Sequence, residues 1–371
     1  MITNDDMTVE LNINPLTNWL TDKKIPLVIA GPCSAESEEQ MLATARELVK
    51  NQKISYFRAG IWKPRTRPGS FEGIGVEALR WMQSVKEETG LKVATEVANT
   101  DHVEACLKHG VDLLWIGART SVNPFSVQEI ADALKGVDIP VAVKNPINPD
   151  LQLWVGALER INKAGINHLM AIHRGFSSFE RSPFRNQPLW ELPIELKSIC
   201  PHVPILCDPS HIAGVRKLIP FISQKALDMD MDGFMIEAHI NPSAALSDAE
   251  QQLTPKALDD LLSNLIVRLA TVKDEEFKTQ LDDLRSLIDA LDEEITQKLS
   301  SRMQIAEKIG EYKKEKNVTI LQVKRWENLI ADRLSAATAM GLSEEFMRGM
   351  LKLVHKESIR RQTEVMNKQE E

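Results

Sequence analysis

Ten side chains able to do chemistry stand at or just after the ends of short apolar runs. Four carry metal-binding atoms: Cys33 in Gly-Pro-Cys-Ser, His211 in Asp-Pro-Ser-His, Glu237 in Ile-Glu-Ala-His, and Asp248 a few residues on. One thiol, one imidazole and two carboxylates suit a divalent transition ion better than calcium or magnesium. Such an ion would act as a Lewis acid on an aldehyde oxygen. The other six are cations: Arg58, Lys63, Arg65, Arg119, Lys144 and Arg174. Gathered in one place they would repel one another unless anions joined them. The planar fork of Arg donates paired hydrogen bonds to phosphate or carboxylate. So many cations call for a substrate pair with two phosphates and a carboxylate. Taken singly, each residue has a plainer reading. Cys33 alone reads as a buried core thiol, with nucleophile, redox thiol and metal ligand as alternatives.

The case for gathering them rests on the elements that carry them. Up to about residue 270 the chain repeats one unit: an apolar run, a polar loop and a stretch with helical spacing. The runs cover residues 26–31, 54–60, 91–97, 113–118, 140–145, 169–175, 204–210 and 233–239. Each is rich in Val, Ile or Leu and short, as strands buried on both faces are. Eight regular β-α units predict an α/β fold, a (β/α)8 TIM barrel; an open doubly wound sheet is the alternative. In such barrels reactive groups come from the C-terminal ends of the strands. All ten residues fall there or in the loops that follow.

After Ala270 the strand pattern stops. Residues 271–280 are a charged linker or the start of a helix. Residues 281–316 read as one long amphipathic helix, with Leu281, Leu284, Ile288, Leu291 and Ile295 alternating by three and four. Asn317 to Thr319 break it. A second helix is predicted near 321–339, and Gly341-Leu342-Ser343-Glu344 ends that one and caps a third near 344–368. The domains are therefore 1–270, a linker at 271–280, and a three-helix all-α domain at 281–371. The long helix has more apolar stripe than two shorter helices can cover, so a homodimer through this domain is expected. Arg302 sits midway between Ile295 and Ile309 on one seam, and Lys313 lies three turns further along the same face. Buried cations need partners, so the pair points to a small dianionic ligand. Arg285 is about 25 Å from Arg302 along the helix axis, and an antiparallel partner helix would bring it in. The plain alternative is a dimerisation tail that binds nothing.

Composition excludes several classes. The 371 residues are 43% hydrophobic and 26% charged, as in globular chains, and a net charge of −8 speaks against a nucleic-acid or membrane-surface binder. No run of apolar residues is long enough for a membrane span, and the N-terminus lacks the order of a signal peptide. Four cysteines in this length do not form a disulfide framework. A cytoplasmic protein with reduced thiols is expected.

The motifs GPCS, FRAGIWKPRT, IGAR, DPSH and MIEAH…ALSD resemble, in order and across roughly 26–254, the 3-deoxy-D-arabino-heptulosonate-7-phosphate synthases of type I. That family joins phosphoenolpyruvate to erythrose 4-phosphate and releases phosphate, on a metal-dependent (β/α)8 barrel. The resemblance implies a divalent metal, manganese, on Cys33, His211, Glu237 and Asp248. It implies phosphoenolpyruvate on Arg58, Lys63, Arg119, Lys144 and Arg174, with Lys63 and Lys144 catalytic. The aldose phosphate would lie on Arg65 and Thr66, near Asp208. A related octulosonate synthase typically has Ala-Asn in the motif where this chain has Pro64, so KPRT favours the four-carbon aldose. The short segment ahead of the first strand leaves no room for a regulatory domain there.

The tail, about 281–366, resembles the all-helical chorismate mutases. The resemblance implies that Arg285, Arg302, Lys313, Arg325, Ser358 and Gln362 bind chorismate. Lys313 and Gln362 would be the catalytic donors to its breaking ether oxygen, in a rearrangement to prephenate that works by conformational trapping. Gln322 and Trp326 stand where the family has carboxylates, which lowers the expected efficiency or turns the bundle into a sensor. With no other regulatory domain visible, prephenate or chorismate in the bundle is the expected inhibitor of the barrel.

Overall fold

The computed structural model describes residues 8–19, 26–63, 69–179, 182–268, 274–321 and 323–368, without the side chains of 323–329. The chain divides into two units, Met1–Ala270 and Thr271–Glu371.

The first unit is a closed barrel of eight parallel strands in sequential order. These are β1 (Leu27–Gly31), β2 (Tyr56–Arg58), β3 (Lys92–Val97), β4 (Leu113–Ile116), β5 (Val141–Lys144), β6 (Leu169–His173), β7 (Ile205–Cys207) and β8 (Gly233–Glu237). β8 closes on β1 over five paired residues, from Leu27 opposite Gly233 to Gly31 opposite Glu237. The helices between and after them are α1 (Glu38–Leu48), α2 (Glu77–Thr89), α3 (Thr100–Lys108), α4 (Pro124–Ala133), α5 (Leu151–Lys163), α6 (Glu191–Ile199), α7 (Ile219–Asp228) and α8 (Pro255–Asn264). A one-turn helix, Pro209–Ala213, precedes α7. All eight expected strands form, and the barrel closes rather than lying open.

Local chemistry starts these helices. Ser37, Asn99, Asn123, Asp150 and Thr254 each accept a backbone N–H of the first turn of α1, α3, α4, α5 and α8, which satisfies a donor the helix itself leaves open. Because successive side chains on a strand alternate in direction, the barrel has two cores. Val28, Ala30, Phe57, Val93, Leu114 and Ile116 pack outward against the helices. Ile29, Tyr56, Ala94, Leu113, Trp115, Ala142, Met170, Leu206 and Met235 fill the lumen. The lumen is thus solid, and chemistry is confined to the mouth.

The second unit is three helices: α9 (Glu275–Glu315), α10 (Val323–Ala339) and α11 (Glu344–Asn367). Asp274 caps α9 at the Phe277 N–H, so the segment left open as linker or helix start is helix from Glu275. Ser343 caps α11 at the Phe346 N–H. Asn317 adopts a left-handed φ of 52° just past the end of α9, at the expected break. Along the first half of α9, Leu284, Leu287, Ile288, Leu291 and Ile295 are each more than half exposed. Among the described residues no helix is long and apolar enough to cross a membrane.

Candidate functional sites

Cys33 follows β1, and its main-chain N–H donates to Gln252 Oε1 at 2.9 Å. Glu237 ends β8, and Asp248 lies on the loop beyond it. One ligand atom from each of Cys33, Glu237 and Asp248 falls within 4.8 Å of the others. His211, in the one-turn helix, is not in that trio, but its Nε2 is 3.7 Å from Glu237 Oε1. Its orientation comes from Asp208, whose Oδ2 is 2.7 Å from His211 Nδ1 and whose Oδ1 accepts the His211 main-chain N–H at 3.0 Å. A carboxylate behind an imidazole fixes which ring nitrogen is turned outward. Glu237 is held in turn by Gln251 Nε2, which donates to its Oε2 at 2.7 Å.

The protonation states suit a cation. Burial and Glu237 push the Cys33 thiol up to about 12. Burial opposes charge on Glu237 and Asp248 as well, yet His211 leads a set of neighbours that outweighs it and holds both below the ordinary carboxylate range. Burial lowers His211 against the pull of Asp208 and Glu237, toward the neutral form that a ligand takes. Two carboxylates, an imidazole and a thiol that a nearby divalent charge would deprotonate make a donor set that fits a metal.

The cations ring the same place. Arg58, ending β2, is 1% exposed, with Nη2 3.4 Å from both Glu237 Oε1 and the Cys33 carbonyl oxygen. Its Nε and Nη1 are buried with no hydrogen-bond partner among the described residues. Lys63 Nζ lies 3.0 Å from Cys33 Sγ. Burial pulls the Lys63 ammonium down, but Cys33 and Glu237 outweigh it and leave it raised. Lys144, ending β5, sets Nζ 2.8 Å from Asp208 Oδ2. Arg174 donates to Asn186 Oδ1 at 2.6 Å. It is pushed down to about 10 by burial, with Arg185 and Arg119 adding positive charge nearby. Arg65 and Thr66 lie outside the described residues.

Several residues here escaped the sequence reading. Arg185 pairs with Asp248 Oδ1 at 3.1 Å and donates to Gln251 Oε1 at 2.7 Å. A cleft of about 490 Å³ opens beside this pair. Asn145 accepts the Arg174 N–H at 2.7 Å and donates to the Gly175 carbonyl at 2.9 Å. Glu96, on β3, accepts from Trp115 Nε1 at 2.9 Å. A Cβ on Gly117 would meet the Glu96 carboxylate, so a larger residue there would displace that side chain. The polar cluster SPFRNQ after strand six was the one available signal for Arg185 and Asn186.

The barrel segment matches the DAHP synthetase I family model over residues 17–270. The chain belongs to the DAHP synthetase I family. A phospho-2-dehydro-3-deoxyheptonate aldolase of Thermotoga maritima is 30% identical over 238 residues, covering 64% of this chain and 68% of that protein. A 2-dehydro-3-deoxyphosphooctonate aldolase of Vesicomyosocius okutanii is 27% identical over 269 residues, 64% of this chain and 88% of that one. The crystal structure of the Thermotoga maritima DAHP synthase superposes with a TM-score of 0.58 at 29% identity, over 70% of each chain. A chorismate mutase type II model matches residues 284–363. The chain is thus a DAHP synthase joined to a chorismate mutase, with both activities, and the synthase family is metal-dependent.

In the helical unit, Arg302 on α9 donates to Ser358 Oγ on α11 at 2.5 Å. Gln362, one turn beyond, donates to the Ser358 carbonyl at 3.3 Å. Its Oε1 is buried with no hydrogen-bond partner among the described residues. Lys313 donates to the Ile320 carbonyl at 2.5 Å. Arg285 is exposed and paired with Asp282 at 3.0 Å. Arg302, Ser358 and Gln362 therefore meet within one chain. Gln322 and the side chains of Arg325 and Trp326 lie outside what the structure describes.

Proposed function

We propose that Cys33, His211, Glu237 and Asp248 hold one divalent cation, manganese, in the DAHP synthase barrel. Phosphoenolpyruvate is assigned to Arg58, Lys63, Arg119, Lys144 and Arg174, and erythrose 4-phosphate to Arg65 and Thr66 near Asp208. The observation that carries this is Arg58: a buried guanidinium with two nitrogens unpartnered among the described residues, beside three ligand atoms within 4.8 Å of one another. A buried charge with open donors is costly unless an anion completes it. When bound, the metal supplies a Lewis acid that polarises the aldehyde oxygen. Arg58, Arg119, Lys144 and Arg174 neutralise and orient the phosphate and carboxylate, and Lys63 and Lys144 are assigned the catalytic places near the reacting carbons. Lys63, close to Cys33 Sγ, also offsets the thiolate charge. A reducing compartment such as the cytoplasm keeps that thiol available.

In the mutase unit we assign chorismate to Arg302, Lys313, Arg325, Ser358 and Gln362, completed by Arg285 of a second copy. Lys313 and Gln362 donate to the ether oxygen as it breaks. No nucleophile or metal is needed. Prephenate or chorismate bound here lowers synthase turnover. The test of the metal assignment is Cys33→Ala in the full chain. It abolishes manganese-dependent phosphate release from phosphoenolpyruvate plus erythrose 4-phosphate and leaves chorismate consumption unchanged. Full synthase turnover in that variant would remove Cys33 from the site.

A further inference from the structure

We infer that Trp115 is a positioning residue of the synthase site, a neutral aromatic floor that holds Arg58 and Lys144 in place without occupying the donors that phosphoenolpyruvate needs. The inference rests on the assignment of those two cations to that substrate.

Trp115 lies on β4 and is fully buried in the lumen cluster. Its strand neighbours are Glu96 on β3 and Ala142 on β5, and Arg58 pairs with Ala94 across β2 and β3. Ala94 and Ala142 lie with Trp115 in the lumen cluster. The Arg58 guanidinium carbon is 4.9 Å from the ring centroid, and Lys144 Nζ is 5.9 Å from it. Both distances lie within the range where the negative face of the ring attracts a cation, and the attraction grows when the pair is desolvated. Arg58 and Lys144 are 1% and 5% exposed. The indole N–H donates to Glu96 Oε2 at 2.9 Å, which fixes the ring plane.

A tryptophan that merely filled the lumen would need none of these contacts. The two cations each already face one carboxylate, Glu237 3.4 Å from Arg58 and Asp208 2.8 Å from Lys144; a further carboxylate in place of the ring would take up their remaining N–H groups. It would then compete with the substrate's own phosphate and carboxylate. An aromatic face stabilises the cations through its quadrupole, carries no net charge and accepts no strong hydrogen bond. Arg58 accordingly keeps Nε and Nη1 open. Glu96, which accepts the indole N–H, adds negative charge behind the ring.

The experiment places mono-, di- and trifluorotryptophan at position 115 of the full chain, which drains the ring's negative face with almost no change of shape. Trp115→Phe and Trp115→Leu accompany the series. The KM for phosphoenolpyruvate should rise with each added fluorine while kcat stays within about twofold. Trp115→Leu should raise KM at least about tenfold and Trp115→Phe by less. Chorismate consumption should be unchanged throughout. A KM indifferent to fluorination, or equal in the Phe and Leu variants, overturns the role of Trp115. Absence of phosphate release by the unsubstituted chain would instead overturn the substrate assignment on which the role depends.

Discussion

Asp208 touches Lys144 on one side and His211 on the other, and it is fully buried between them. Burial alone would raise a carboxyl here, but His211 and Lys144 hold Asp208 well below its usual range. It therefore serves as a fixed anion that orients the imidazole, which we propose as a metal ligand. Asp208→Asn keeps the shape and loses the charge. Its expected outcome is a fall of about 10- to 100-fold in manganese affinity, read by titrating metal into the metal-free chain, with mutase activity unaffected. An unchanged affinity would mean that His211 is oriented by something else. His173, at the end of β6, behaves differently. It is boxed by Trp154, Phe176 and Trp190 with ring centroids 5.3–6.5 Å away. Burial, with Arg174 adding to it, holds its imidazole down to about 3. The unfolded chain takes up that proton near pH 6.5 and the folded barrel does not. Its contribution to stability is therefore complete above pH 6.5 and shrinks as pH falls from 6.5 toward 3. Other buried groups titrate there too, so a comparison isolates it: the melting temperature of His173→Phe should fall less between pH 7 and pH 5 than that of the unsubstituted chain. Parallel slopes would show His173 to be protonated without cost.

At the scale of elements, α9 and α11 meet where a side chain is missing. A Cβ on Gly310 would stand 3.1 Å from Gln362 Cα, so this glycine sets how near the donor of α11 comes to α9. Just beside it, Arg361 bridges Glu307 and Glu357, each at 3.0 Å, and ties the two helices in register. Gly310→Val should push α11 away and lower mutase kcat by at least about tenfold, a loss that small displacements of catalytic groups produce. Synthase turnover measured on the same sample should stay unchanged; equal mutase rates would show that the close approach is not needed. The strands and helices were legible because each depends on local spacing and capping, as at Ser37 or Ser343. So was the gathering of Arg58, Lys63, Lys144 and Arg174 at one mouth, since strand ends fall together once the barrel closes. Glu96, Trp115 and Arg185 were not. Their roles arise from cross-strand register, as with Glu96 opposite Trp115, or from a long loop returning to the mouth. Neither leaves a periodic trace. Gly310 likewise reads as a blemish in a helix until α11 is seen against it.

For the whole molecule, the open question is why α9 leaves its apolar stripe in solvent. Leu284, Leu287, Ile288, Leu291 and Ile295 are 55–63% exposed over about three turns, and a contiguous patch of this kind marks a surface for another protein. Arg285 lies within that stretch, too far along the axis to reach a ligand at Arg302 of its own chain. The proposed dimer would answer both facts: α9 of a second copy, antiparallel, would cover the leucines and deliver its Arg285 to the first chain's Arg302. Leu291→Asp places a charge in the centre of that seam. It should convert the dimer to a monomer, read by sedimentation. Mutase activity should go with it, because each site loses the partner's arginine. Synthase turnover should persist, since every assigned barrel residue comes from a single chain. Prephenate should then no longer slow it. Coupling between the units is reciprocal, so in the unsubstituted chain phosphoenolpyruvate should weaken prephenate binding by the same factor that prephenate weakens its own. A monomeric variant that keeps full mutase activity would sink the shared site. An unsubstituted chain whose synthase rate ignores prephenate would sink the feedback and leave the dimer standing.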